Sequence, residues 1–441
     1  TDGESELMTN YNRQILQLAF PSIVSNITVP LLGLVDQTIV GHLGAATYIG
    51  AVAVGTMIFN VVYWVFGFLR MSTSGLTSQA LGRRDLLDVM TIFTRSLLLG
   101  LTIALLFLVF QSPILHLAVT VISPSATLMP LVYTYYKIVI WGAPAVFGLY
   151  AMTGWYVGMQ NTRLPMLVSI VQVAVNILLS LYFVFALGMK IDGVALGTVL
   201  SQWVGFLTTL CFWFHSYVRL LRYRKPLKAI LQGAQLRKFF LVNRDIFLRT
   251  LFLVAVNFFF TAAGAREGDI ILSVNALLMT FSTLFSYFMD GFAFAAEALC
   301  GRYKGAGNTT AFHAVVRALM IWGGLMTLIF SCLYFFGGQG FLSILTNNTE
   351  VLRAAADYRL WACLIPLAGF MAYIYDGIFI GITATRGMLI SSAIAAGSFF
   401  IVYFALCGHI GNHALWAAFL FFLAQRGIIQ WWWMNARLKD K

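Results

Sequence analysis

The apolar positions of this chain come in long runs, each broken by a short stretch holding charge, Gly or Pro. A helix needs about 20 apolar residues to cross the hydrocarbon core of a bilayer. Only helices or closed barrels can cross, because every backbone polar group must be satisfied there, and these runs are too long and too continuously apolar for barrel strands. Reading from break to break predicts twelve spans. They lie near 13–40, 47–79, 89–111, 127–157, 165–187, 192–217, 239–264, 269–300, 311–335, 351–382, 387–408 and 412–436. Several exceed the length needed, which predicts tilt or extension beyond the lipid. The first run is expected to be a span in its own right and not a cleaved leader.

Composition agrees. Hydrophobic residues make up 60% of the 441 positions and charged residues 10%, against about 25% charged in a soluble domain. Too few charges are present to build a water-soluble surface. Five scattered cysteines, odd in number and without metal-ligand spacing, read as small hydrophobes rather than a disulfide frame or metal site. The net charge of +12 would fit nucleic acid in a soluble protein, but here topology explains it. Arg13, Arg83, Arg84, Arg163, the cluster Arg219 to Lys238, Arg302, Lys304, Arg386, Arg437, Lys439 and Lys441 fall on one side; the other side shows only Lys190, Arg266 and Arg353. The excess of Lys and Arg marks the cytoplasmic side, so both termini are expected there. The expected layout is an N-lobe at 13–218, a basic cytoplasmic linker at 219–238 and a C-lobe at 239–436, six spans to each lobe.

The two halves repeat. A shift of 223 residues places Gly41 on Gly264, Gly82 on Gly305, Gly154 on Gly377, Gly158 on Gly381, Thr162 on Thr385 and Arg163 on Arg386. The turns YVGMQNTR and FIGITATR are visibly the same. Six spans is an even number, so both halves enter the membrane from one side, and the duplication is a parallel repeat with a pseudo-two-fold axis along the membrane normal. The pairs Gly154/Gly158, Gly377/Gly381 and Gly193/Gly197 form small-residue faces suited to close helix packing.

No motif for nucleotide hydrolysis, zinc proteolysis, serine catalysis or dithiol redox chemistry occurs, so no enzyme is expected. Chemistry must come from the ionisable groups inside spans, which are costly and functional by default. The acids singled out there are Asp36, Asp290, Glu297 and Asp376. Asp36 is the single charge between Arg13 and Arg70, and its isolation makes it the candidate coupling-ion site. Pro30, six residues earlier, is a candidate hinge, since proline removes a backbone donor. Arg249, Asp290 and Asp376 fall at similar depth in the second half and are expected to compensate one another as a charge cluster, structural or part of a second relay. Glu297, Arg70, Arg95 and Arg317 lie near helix ends and are expected to snorkel to the interface. Met57, Phe59, Tyr63, Tyr136, Met279, Phe285 and Met289 are the candidates for an adaptable cavity lining.

The run PSIVSNITVPLLGLVDQTIVGHLG resembles the first helix of multidrug and toxic compound extrusion (MATE) transporters, in particular their DinF branch. LRMSTSGLTSQALG, NRDIFLR, MDGFAFAAEALCG and DGIFIGITATR carry the resemblance along residues 13–436. It implies two six-helix lobes around a central cavity, and export of varied, often cationic or amphipathic compounds in exchange for H⁺ or Na⁺. It implies that Asp36 is the proton-site acid of the first helix, and it sets Asn176 and Thr198 beside it on the fifth and sixth helices. A family Asp four residues after that Asn is Ser180 here, so Asp36 must carry the ion among neutral neighbours. Asp376 falls on the family's tenth-helix Asp, and Asp290 on the eighth-helix Asp of the DinF branch.

The resulting expectation is a proton-coupled antiporter of the prokaryotic plasma (inner) membrane, a monomer acting on drugs or toxic metabolites. Its partners are small molecules and the lipid bilayer, with no nucleic acid, no cofactor and no metal. Na⁺ remains open as the ion, because Asn176, Ser180 and Thr198 supply neutral oxygens beside Asp36. A lipid-linked precursor flippase is the alternative; it would need several cavity cations, and the first half offers only Arg70, Arg95 and Lys137.

Overall fold

A computed structural model describes residues 2–438 and is almost entirely helical; Lys439 and Lys441 of the basic tail lie outside the described residues. Twelve helices are long and apolar enough to span a bilayer: α1 Asp2–Gly41, α2 Ala46–Gly82, α3 Leu86–Val109, α4 Met129–Gly158, α5 Arg163–Ala186, α6 Ile191–Ser216, α7 Ala234–Arg266, α8 Asp269–Gly305, α9 Thr309–Leu345, α10 Arg359–Gly381, α11 Thr385–Ile410 and α12 Asn412–Ala436. They match the twelve predicted spans in order.

The differences lie at the ends and connections. The stretch 112–130 is not simply a connection: it carries a further helix, Gln111–Ile122, with Leu115 and Val119 buried one turn apart. Pro113 sits in its first turn, where a missing N–H breaks no intrahelical bond. The run at 351–382 divides into a short helix, Thr349–Ala355, and α10. Asn348 caps the short helix by accepting from the backbone N–H groups of Glu350 and Val351. The basic linker holds a 3₁₀ segment at Val218–Tyr223 and a single helical turn at Leu227–Ile230 before α7 begins at Ala234.

The chain forms two compact units. Among the described residues, one comprises 24–239; the other comprises 240–438 together with 2–23. The division therefore falls inside α1, between Pro21 and Pro30, and residues 13–23 group with the second half of the chain.

Within residues 24–239, indole and phenol rings build much of the core. Trp155 of α4 packs edge-on against Phe93 of α3, and Phe93 stacks on Trp213 of α6 at 4.8 Å. Burial of such rings requires partners for their polar ends: Trp155 Nε1 donates to the Val89 carbonyl and Tyr156 Oη to the Thr209 carbonyl. Pro144 interrupts α4, and the helix tightens to a 3₁₀ turn at Ile140–Gly142 just before it. In the other unit Pro366 lies inside α10, and α9 hydroxyls serve nearby carbonyls: Thr327 donates to Pro366 and Ser331 to Cys363.

The sequence repeat reappears as a packing repeat. A Cβ on Gly154 would lie 2.3 Å from the Arg70 carbonyl oxygen, and one on Gly158 would lie 2.8 Å from that of Ser74. In the second unit, Gly377 meets the Ala293 carbonyl at 2.5 Å and Gly381 that of Glu297 at 2.7 Å. Every one of these second-unit residues lies 223 positions after its counterpart. No side chain fits at these four positions, so the glycines let α4 lie against α2 and α10 against α8 at backbone contact.

Two of the expected snorkelling residues are instead enclosed. Arg95 is 6% exposed and Glu297 1%. Arg95 stays inside because its Nε donates to the Ile230 carbonyl at 2.8 Å, which gives the guanidinium a polar anchor in the protein. Arg317 is exposed and Arg70 half-buried.

Candidate functional site

Asp36 lies in the last two turns of α1 and is 8% exposed. Asn176 of α5 and Thr198 of α6 are the polar side chains beside its carboxyl. Asn176 and Ser180 are fully buried, one turn apart on α5, and Ser180 Oγ donates to Asn176 Oδ1 at 2.9 Å. Gly197 of α6 leaves room for that hydroxyl: a Cβ there would come within 2.4 Å of Ser180 Oγ. With its oxygen engaged, Asn176 keeps its Nδ2 donor, and among the described residues this atom has no hydrogen-bond partner, as Asp36 Oδ1 has none. A donor and an acceptor are thus both buried and both unengaged in one small polar site.

Tyr135 of α4 completes the site, which sequence reasoning missed. It lies beside Asp36 and Thr198, and its hydroxyl meets Thr56 of α2 at 3.4 Å. Gly55 makes space for the ring, since a Cβ would fall 2.2 Å from it. The available signal was Gly55-Thr56 in an apolar run. The neighbouring Tyr136, which was predicted, points elsewhere: its hydroxyl donates to the Gln111 carbonyl and its ring stacks on Phe59 at 5.3 Å.

Asp36 thus meets one amide, one aliphatic hydroxyl and a phenol, and no guanidinium or ammonium pairs with it among the described residues. An ionised carboxylate held this way costs several kcal/mol. Binding a small cation, H⁺ or Na⁺, removes that cost. Pro30 stands six residues earlier in α1, within an unbroken helix.

The second charge group is built differently. Asp376 of α10 is 5% exposed; Arg249 of α7 pairs with its Oδ2 at 2.5 Å, Arg426 of α12 with the same oxygen at 3.0 Å, and Gln430 donates to Oδ1 at 2.7 Å. Of the expected cluster of Arg249, Asp290 and Asp376, Arg249 and Asp376 pair directly. Arg426 and Gln430 were missed, although Arg426 is the one charge inside the α12 run and Gln430 follows it by one turn. Asp290 is half-buried, and Tyr373 stands near Asp290, Arg426 and Asp376.

The candidate cavity residues separate. Phe59, Tyr63 and Tyr136 form an aromatic cluster lining a cleft too tight for water, and Met57 is exposed. Met279 lines a separate cavity of about 250 Å³ with Asn257, Phe260, Thr261, Thr280 and Thr283. Phe285 and Met289 are fully buried and belong to the core; Phe285 packs on Phe330 at 5.4 Å.

Comparison with known proteins decides the family. The MatE family model matches residues 21–182 and again 246–406, one copy in each half. The chain belongs to the MatE family, the multidrug and toxic compound extrusion transporters. It is a multi-pass membrane transporter, not an enzyme. DNA damage-inducible protein F of Escherichia coli K12 is 36% identical over 96% of this chain and 91% of its own. The multidrug resistance protein MdtK of Edwardsiella ictaluri is 23% identical over 87% of this chain and 84% of its own. Among solved structures, a MATE transporter of Vibrio cholerae with an Asp-to-Asn substitution superposes with a TM-score of 0.86 at 18% identity, covering 99% of both chains. Further MATE structures described as bent and straight conformations give TM-scores of 0.86 as well. These structural likenesses establish the MATE fold.

Proposed function

We propose that this MATE protein is a secondary antiporter of the bacterial inner membrane, with both termini cytoplasmic. It exports varied cationic or amphipathic small molecules in exchange for protons. The name of the MdtK relative, a multidrug resistance protein, supports drugs as the substrates. The observation that carries the coupling is the buried Asp36 carboxyl with an unpartnered oxygen among neutral groups. Proton binding there cancels a buried charge, and α1 re-packs near Pro30, where the helix lacks a backbone donor. Drug and proton then favour different arrangements of one element, which is what antiport requires.

Neutral oxygens on Asn176, Ser180 and Thr198 give a second reading, Na⁺ at the same carboxylate. Proteoliposomes separate the two. An imposed pH gradient, with no Na⁺ present, is expected to drive uptake of a fluorescent organic cation by the wild type. Transport driven only by a Na⁺ gradient at fixed pH would replace the proton by sodium. Movement of a lipid-linked precursor without any ion gradient would replace antiport altogether.

A further inference from the structure

The group of residues 24–239 contains a second charged site, remote in sequence from Asp36. We propose that it binds the phosphate ester of an anionic membrane phospholipid and thereby holds the connector that leads to α7.

The site begins with the turn between α2 and α3. Asp85 caps α3 by accepting the Asp88 backbone N–H at 3.1 Å, and Asp88 pairs with Arg83 at 2.7 Å. Both carboxylates at this end are therefore engaged. Arg95 follows two turns further into α3. It is 94% buried in effect, being 6% exposed, and its one hydrogen bond among the described residues is Nε to the Ile230 carbonyl of the connector. Its two terminal nitrogens have no acceptor among the described residues. Lys238, at the start of α7, has no hydrogen bond or ion pair among the described residues either. Arg83, Arg95 and Lys238 together line a cavity of about 220 Å³ with Asp85 and Asp88, room for about seven waters at ~30 Å³ each.

Chemistry selects the ligand. Three cations face two carboxylates, so the lining carries one uncompensated positive charge, the complement of a phosphodiester monoanion. A guanidinium offers paired donors that suit phosphate oxygens, and a lysine adds a point charge. The walls also include the side chains of Leu76, Ile92 and Phe239, and Leu87 beside Asp88 is 46% exposed. A basic cavity with a buried apolar wall, near the ends of two membrane helices and with Leu87 exposed next to Asp88 in the chain, fits a lipid headgroup better than a soluble phosphate. Such a headgroup, held by Arg95 and Lys238, bridges α3 to the connector at a second point beside the Arg95–Ile230 bond.

The test uses the purified full chain in detergent, with dioleoylphosphatidylglycerol, dioleoylphosphatidylcholine, glycerol 3-phosphate and inorganic phosphate as probes. Binding is read by native mass spectrometry and by shift of the melting temperature. Phosphatidylglycerol is expected to bind more tightly than phosphatidylcholine. Lys238→Gln is expected to weaken it about five-fold, the share one cation contributes near anionic lipid, and Arg95→Gln more. Because Arg95→Gln also loses the connector bond and can unfold that region, Lys238→Gln is the deciding variant, with Arg219→Gln as a basic-residue control that leaves binding unchanged. Competition by glycerol 3-phosphate at much higher concentration supports the headgroup assignment. Equal binding of the two lipids, or a preference that survives Lys238→Gln, overturns the site. Free phosphate binding as tightly as the lipid overturns the lipid as its source.

Discussion

Asp36 and Asp376 are the same chemical group, buried to nearly the same degree, at 8% and 5% exposure. Their surroundings differ in kind. Asp376 holds two guanidiniums and an amide donor on its two oxygens, while Asp36 has an amide and a hydroxyl nearby and one oxygen without a hydrogen-bond partner among the described residues. A carboxylate already neutralised by arginines gains little from a mobile cation, and its partners hold three helices, α7, α10 and α12, in place. A carboxylate without a counter-ion gains much from one. We propose on this ground that ion coupling belongs to the first unit and mechanical anchoring to the second.

The largest expected effect breaks that comparison at Asp36. Asp36→Asn keeps the size and the hydrogen-bonding edge of the protonated acid but cannot bind or release an ion. It is expected to abolish gradient-driven uptake in proteoliposomes while leaving expression and melting temperature near wild type. Cells expressing Asp36→Asn at the normal level and showing full drug resistance would remove Asp36 from the mechanism.

Next comes Arg249→Ala. Removing one member of a buried ion pair leaves charge uncompensated and typically costs about 3–5 kcal/mol. Lower expression and a lower melting temperature are expected, with the dependence of residual transport on the pH gradient retained. A stable Arg249→Ala protein that has lost only its proton dependence would make the cluster part of the relay instead. Gln430→Ala tests the same carboxylate more gently. It removes a neutral donor from a charged acceptor, worth about 1.5–3 kcal/mol, and both arginines remain. Thermal melting should rank wild type, Gln430→Ala and Arg249→Ala in that order of decreasing stability; a reversed order would mean that the amide, not the ion pairs, holds the site.

How far this contrast was legible in the sequence depended on the kind of signal. The twelve spans follow from length and hydropathy, which the bilayer imposes directly. The repeat was visible because glycines at helix crossings cannot be replaced: Gly154, Gly158, Gly377 and Gly381 each touch a neighbouring backbone. Asp36 stood out because a lone charge in an apolar run has no local explanation. Its neighbours Asn176, Ser180 and Thr198 came only from family resemblance, since nothing in an isolated helix says which buried hydroxyl faces which acid. Tyr135 escaped for that reason, and so did Arg426, whose partner Asp376 is 50 residues away. Arg95 misled in the opposite direction. Its depth suggested an interfacial residue, but the connector folds back and offers it the Ile230 carbonyl.

The smallest effects are expected where α5 meets α6, and they sharpen the account of why Asp36 is left unpartnered. Ser180 Oγ donates to Asn176 Oδ1, and Gly197 sits against the same hydroxyl. Ser180→Ala removes one neutral hydrogen bond, about 0.5–1.5 kcal/mol, with no charge exposed, so the fold should tolerate it. Gly197→Ala places a methyl within 2.4 Å of Ser180 Oγ, an overpacking that typically costs about 1–3 kcal/mol. Combining the two removes the hydroxyl and leaves only the Ser180 backbone, at 3.2 Å, so the double variant should recover part of that loss. Melting temperatures of the four proteins measure this directly. If the double variant is no more stable than Gly197→Ala, the constraint is backbone packing and not the hydroxyl. If Ser180→Ala also leaves ion-driven transport unchanged, Asn176 does not need Ser180 to face Asp36. A transport defect in a fully stable Ser180→Ala protein would show that the hydroxyl orients the amide for the ion site, the role that no neighbour of Asp376 can be tested for without loss of stability.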